Sequence, residues 1–231
     1  MAYPDFFPRR VNMRVDKLKY AADASEQDPY RVDYGAPLAL STTYFMNAVL
    51  QTTGVPMTAT VGNGIILNNG EVPDATTSRW GRGLTLVASA ASTRTITMVA
   101  YDYLGQRISW TGVMNGTTPV VVTKMIRWIE SIVFGASADT VTISVGYNEV
   151  LGIPYAGQML AQEIKNGAVA ANAGTFTAAV LTNPQTATTG DPKGSYTPAT
   201  VLPNGTNTFS LLYIIDRTTA TGMHGVAHFG G

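Results

Sequence analysis

The chain has no cysteine among its 231 residues, so disulfides, thiolate metal sites and a cysteine nucleophile are excluded together. Histidine is almost as scarce: His224 and His228 are the only two, and both lie in the glycine-rich end of the chain. Their i, i+4 spacing would suit a metal on one face of a helix. Gly222, Gly225, Gly230 and Gly231 argue against a helix there, and no glutamate stands between the histidines as a zinc protease requires. They read as surface histidines. Charge is thin as well, at 13% of residues, about half the share of an ordinary globular chain. With 15 basic and 15 acidic side chains the net charge is zero, which leaves no overall field to recruit nucleic acid or an anionic membrane. Neither partner is expected. No apolar run approaches the roughly 18 residues of a membrane-spanning helix. The opening Met1 to Arg10 lacks the apolar core of a secretory signal, so synthesis in the cytoplasm is expected.

What the chain does have is apolar residues, 45% of the total, arranged in short alternating runs. Between Thr93 and Tyr103, Ile96, Met98 and Ala100 share one face and Thr95, Thr97, Val99 and Tyr101 the other, the period of a strand covered on one side. Asp102 to Arg107 carries a glycine-bearing turn, and Arg107 to Met114 returns with Ile108 and Trp110 available for burial, and Val113 as a further candidate, which makes a hairpin. Val141, Ile143 and Val145 repeat the pattern. Further strands are predicted from Leu38, across 57–67 with a bend at Gly62 and Gly64, over 84–88, 119–123, 175–182 and 207–215. Lys124 to Phe134 is ambiguous: Met125, Trp128, Ile129 and Ile132 fit helical spacing, but its β-branched content favours a strand. Asn148 to Pro154 reads as a turn, and 157–164 as a helical turn or an edge strand. The fold class expected is all-β, an antiparallel sandwich or jelly-roll. It comprises an extended N-terminal arm over residues 1–36 and a body over 37–231 with C-terminal strands and a glycine-rich tail.

Few residues suggest chemistry. Gly62 and Gly64 lack the spacing and the Lys-Ser or Lys-Thr of a phosphate loop. Asp102, Glu130, Asp139 and Asp191 could supply the paired carboxylates of a glycosidase, but nothing in the sequence selects a pair. No enzyme activity and no cofactor is expected. Two segments suit partner binding. Arg79, Trp80 and Arg82 form a basic-aromatic spot that could stack on a base or sugar; zero net charge favours instead a flexible loop whose arginines pair with acidic groups of a neighbouring subunit. Tyr3, Phe6 and Phe7, beside Arg9 and Arg10, lie in a segment too rich in proline to build its own core. The arm either wraps its own domain or reaches a neighbour. In the second case residues 1 to about 20 become fixed only on assembly. Trp80, Trp110 and exposed tyrosines are the stacking platforms of a third possibility, a carbohydrate-binding sandwich.

The order of certain segments carries a resemblance. Thr-Ile-Thr-Met-Val-Ala-Tyr-Asp-Tyr-Leu-Gly-Gln (95–106) is followed by Thr-Gly-Val-Met-Asn-Gly (111–116), Ile-Glu-Ser-Ile (129–132) and Val-Thr-Ile-Ser-Val-Gly-Tyr (141–147), closing on Leu-Gly-Ile-Pro (151–154). Together with Thr-Gly-Asp-Pro-Lys-Gly-Ser-Tyr-Thr-Pro (189–198) and Leu-Leu-Tyr-Ile-Ile-Asp (211–216), this resembles structural proteins of tailed-bacteriophage virions over roughly residues 80 to 220. The resemblance implies a particle component of the virion. It would be a capsid decoration or cement protein bound to the major capsid protein, or else a tail, collar or tail-tube component. Other virion proteins and further copies of the chain, in a homo-oligomer, would be its partners.

Overall fold

A computed structural model describes residues 28–73, 77–171, 173–180 and 190–215. Among these the fold is all-β; the one helical element is a single 3-10 turn, Asn68–Gly70. In chain order the strands are β1 (Asp28–Gly35), β2 (Ser41–Gln51), β3 (Met57–Thr60), β4 (Arg82–Ala88), β5 (Thr95–Tyr101), β6 (Arg107–Val113) and β7 (Val120–Ile126). They continue as β8 (Trp128–Phe134), β9 (Val141–Gly152), β10 (Gly157–Lys165), β11 (Ala168–Val169), β12 (Thr175–Thr177), β13 (Ser195–Thr197) and β14 (Phe209–Ile215).

Two antiparallel sheets make a sandwich. One has the order β3-β8-β5-β6; the other runs β12-β13-β9-β4-β7, with β2 also paired to β9. Period-two alternation explains which residues meet between them. Ile96, Met98 and Ala100 of β5, Ile108 and Trp110 of β6, and Ile129, Ile132 and Phe134 of β8 face Leu84 and Leu86 of β4, Val122 of β7 and Val141, Ile143 and Val145 of β9. The hairpin predicted from 93 to 114 is present in the register Thr95 to Val113 through Tyr101 to Arg107. Val113 itself stays exposed.

A third sheet, β1-β14-β10-β11, holds a second core. Val32 and Tyr34 of β1 and Phe209, Leu211, Tyr213 and Ile215 of β14 pack with Leu151, Ile153 and Tyr196. Strand β9 serves both cores: Val141 to Tyr147 line the first, and Leu151, four residues on, lines the second. The stretch 148–152, read as a turn, is therefore strand. Leu151 pairs with Arg82 of β4 and Tyr196 of β13, so the ladder continues where turn-forming residues suggested a stop.

Residues 28–35, the end of the expected arm, form β1 and pair with β14 of the same chain from Asp28–Ile215 to Gly35–Phe209. Strand β10 is not a helical turn: it pairs with β14 along its length, and on its other side β11 covers only Ile164 and Lys165, so most of it lies at the edge of its sheet. The ambiguous 124–134 resolves into two strands in different sheets, with Arg127 the single residue between them. Arg127 is buried at this corner, where it donates from Nη1 to the Val72 carbonyl at 2.6 Å and from Nη2 to Glu71 Oε1 at 2.5 Å.

Candidate functional site

Charge, scarce in the sequence, is concentrated inside the fold. Six basic residues (Arg82, Arg94, Lys124, Arg127, Lys165, Lys193) and three acidic ones (Asp102, Glu163, Asp191) are buried. An unpaired buried charge is strongly disfavoured, so each location has to supply partners.

The densest group forms where three segments meet: the β5–β6 turn, the end of β7, and the 190–194 turn that leads into β13. Lys124 is an inward residue of β7 and donates from Nζ to the Gly190 carbonyl. Asp191 is wholly enclosed, accepting the Met125 amide at Oδ2 and the Lys193 amide at Oδ1, each at 2.8 Å. Lys193 reaches across to Asp102, Nζ to Oδ2, at 2.6 Å, with both side chains at most 3% exposed. Asp102 opens the β5–β6 turn, and its other oxygen, Oδ1, accepts the amides of Leu104 at 2.9 Å and Gln106 at 2.8 Å. Two amines and two carboxyls thus share one buried space. Burial pushes the Asp191 carboxyl up, against the opposing pull of Lys193, two backbone amides and Lys124. Burial also pushes the Lys124 amine down, with Lys193 adding to the effect and Asp191 opposing it. For Asp191 and Lys124 burial therefore favours the uncharged form.

An aromatic group covers this cluster. Tyr103 lies 5.3 Å from Lys193 Nζ, donates its hydroxyl to the Pro154 carbonyl at 2.5 Å and meets Trp80 edge-on at 4.9 Å. Burial, with the carboxyls of Asp102 and Asp191 among the further contributions, pushes its phenol well up. Tyr30 meets Tyr155 and Tyr213 nearby at 4.8 and 5.8 Å.

The basic-aromatic spot divides. Arg79 is exposed and stacks on the Trp80 ring at 4.3 Å, and Trp80 is half-buried. Arg82 is different: it begins β4, is fully enclosed, and donates to the Asn148 carbonyl from Nε at 3.0 Å and Nη2 at 2.5 Å, and to the Leu38 carbonyl at 3.2 Å. It also lies over the Tyr147 ring at 4.9 Å. Burial lowers its guanidinium to about 10, which leaves it charged at neutral pH. An arginine so enclosed cannot pair with a neighbouring subunit, and its expected place on a flexible loop is corrected to a strand of the inner framework. Trp110, 3% exposed, is likewise unable to serve as a sugar platform.

Each of the four carboxylates considered for catalysis is engaged by a cation or a donor, and Asp102 and Asp191 share Lys193. Asp102 takes Lys193, Asp139 takes Arg94 at 2.8 Å, Glu130 takes the Tyr101 hydroxyl at 2.5 Å, and Asp191 sits between Lys124 and Lys193. Among the described residues no group of three or more histidine and acidic side chains is placed to hold a metal ion. Tyr3, Phe6, Phe7, Arg9, Arg10, His224 and His228 lie outside the described residues. The sequence reading missed Lys124 and Lys193. The available signal was a lysine directly after Val-Val-Val-Thr in a chain with little charge, and a second within the Asp-Pro-Lys-Gly turn. In comparisons with known proteins, no family model, curated protein or solved structure matches the chain.

Proposed function

We propose that the chain is a structural protein of a tailed-bacteriophage virion, and within it a capsid decoration or cement protein that binds and stabilises the shell of the major capsid protein. The observation that carries this reading is the inversion of the usual charge pattern. Nine charged side chains are buried, while twelve large apolar ones, Leu50, Val113, Val121 and Val169 among them, stand exposed on the described surface. Most soluble surfaces keep their charges outside, and interface cores are depleted in charge. A surface of this composition suits a protein whose outer faces lie against other protein. Burial also withdraws more basic than acidic groups from the described body, which weighs further against nucleic acid.

The resemblance of the 95–154 and 189–216 segments supports the virion assignment. Exposed Arg79 and half-buried Trp80 remain the body's candidate contact, with the aromatics and arginines of residues 1–20 as a second. The test is to add purified protein to shells that lack it and to measure occupancy by particle reconstruction. Saturable density on the shell lattice supports the reading. Density confined to tail or collar moves the protein there, and no association with any particle overturns the proposal.

A further inference from the structure

The contact between Lys193 and Asp102 has the layout of an amide-forming pair. Nζ of Lys193 lies 2.6 Å from Oδ2 of Asp102, and neither side chain meets bulk water. The opposite oxygen, Oδ1, is already held by two backbone amides, from Leu104 and Gln106. Two such donors are what a carbonyl oxygen needs when an attacking amine turns it into an oxyanion. The nucleophile is fixed from its own side too: the Lys193 amide donates to Asp191, and the Lys193 carbonyl accepts the amide of Gly157 at 2.8 Å.

We propose that Lys193 and Asp102 join in an intramolecular amide bond between Nζ and Cγ. The step needs no other reactant. One proton passes from the ammonium to Oδ2 across the existing hydrogen bond and gives a free amine beside a neutral carboxylic acid. The amine lone pair then attacks Cγ, and Oδ1 carries the negative charge between the two amides. The Cγ–Oδ2 bond breaks, the leaving hydroxyl takes a second proton from nitrogen, and one water departs. Holding the groups in contact replaces an encounter in solution by an event within one molecule, a gain of several orders of magnitude in rate for well-oriented groups.

The bond would join the β5–β6 turn, in one sheet of the sandwich, to the turn that leads into β13 of the other. Its ends stand 91 positions apart in the sequence and close a long loop, the arrangement in which a cross-link most restricts the unfolded chain. In a chain without cysteine this is a route to a covalent brace under any redox condition. The amide proposal stands apart from the virion reading and does not depend on it.

The test is the intact mass of the full-length protein under denaturing conditions, corrected for N-terminal processing, followed by peptide mapping. The expected result is a mass one water below that of the sequence and a branched peptide joining the segments around residues 102 and 193. Lys193→Arg and Asp102→Ala should each restore the full sequence mass. Wild-type protein at its full sequence mass, with only linear peptides after prolonged incubation of the folded protein, overturns the proposal without reference to any variant.

Discussion

Arg94 offers the sharpest test of how buried charge holds this fold. It is fully enclosed, and its guanidinium donates to four backbone carbonyls: Val55 at 3.2 Å, Gly135 at 2.9 Å, Thr52 at 3.0 Å and Asp139 at 2.7 Å. Its Nε also faces Asp139 Oδ1 at 2.8 Å. One side chain therefore ties the 52–55 turn to the 135–139 connection. Arg94→Met keeps most of the stem volume and removes every one of these donors. Taken singly, hydrogen bonds to a charged group contribute about 1.5–3 kcal/mol each, but four of them would rival the whole stability of a domain. They are not additive, because the freed loops can separate and admit water. The better guide is the loss on removing one partner of a buried pair, about 3–5 kcal/mol. For a chain of this size that corresponds to a fall in melting temperature of roughly 6–20 °C, read by calorimetry near neutral pH. A fall under about 2 °C would refute the idea that Arg94 organises these loops. Adding Asp139→Asn to Arg94→Met should recover only a minor part of the loss, since the carbonyls remain unsatisfied. Full recovery would place the stabilisation in the ion pair alone.

Other outcomes follow from single residues. In Gly146→Ala the new Cβ would stand 1.7 Å from the Ser41 carbonyl oxygen, a backbone atom, so β2 must lift from β9; the expected loss is upwards of about 3 kcal/mol by urea unfolding, and a neutral result would show the β2–β9 crossing to be looser than described. Burial pushes the Asp139 carboxyl up, but the Ser92 hydroxyl and the Arg94 guanidinium prevail and hold it below its ordinary 3.8. A lowered carboxyl stabilises the fold above its unfolded-state value, and that contribution fades as pH falls through the folded value. The melting-temperature gap between wild type and Asp139→Asn should thus be widest near neutrality and close below about pH 4; a constant gap would contradict this. Removing residues 2–20 should leave thermal unfolding nearly unchanged and sharply reduce occupancy on particles, whereas a large drop in melting temperature would mean that the segment packs on its own domain. Arg79→Ala should change stability by no more than about 0.5 kcal/mol while weakening particle binding, and unchanged binding would remove this loop from the interface.

How much could be read in advance depended on local regularity. Strands β5 and β6 were legible because alternation runs without a break across both. The segment from Met125 to Ile132 misled for a definable reason. The chain changes sheet at Arg127, and in β8 the register against β5 skips from Ser131–Val99 to Ile129–Ala100, which leaves Glu130 as an extra residue. A bulge spaces the inward Ile129 and Ile132 three apart, the interval a helix would use. Asn148 to Gly152 was misread because Asn, Gly and Pro nearby suggest a turn, whereas the ladder is extended by partners distant in sequence, Arg82 and Tyr196. Arg82 shows the same limit. Beside Trp80 it resembles a binding loop, and only the carbonyls of Leu38 and Asn148, brought in by the fold, make it an internal anchor. The Lys193–Asp102 pair lay beyond any local pattern.

The pairing of β1 with β14 matters for how the chain comes off the ribosome. Asp28 has to wait for Ile215 before its ladder can close, and at about 5–20 residues synthesised per second that is roughly 10–40 s. Throughout that interval an early strand has free amides and carbonyls while the sandwich strands are being made. Nascent chains close together on one message could exchange this strand before each finds its own β14. Faster translation of the final third would shorten the exposure, and a chaperone that covers residues near 30 would have its greatest effect before synthesis ends.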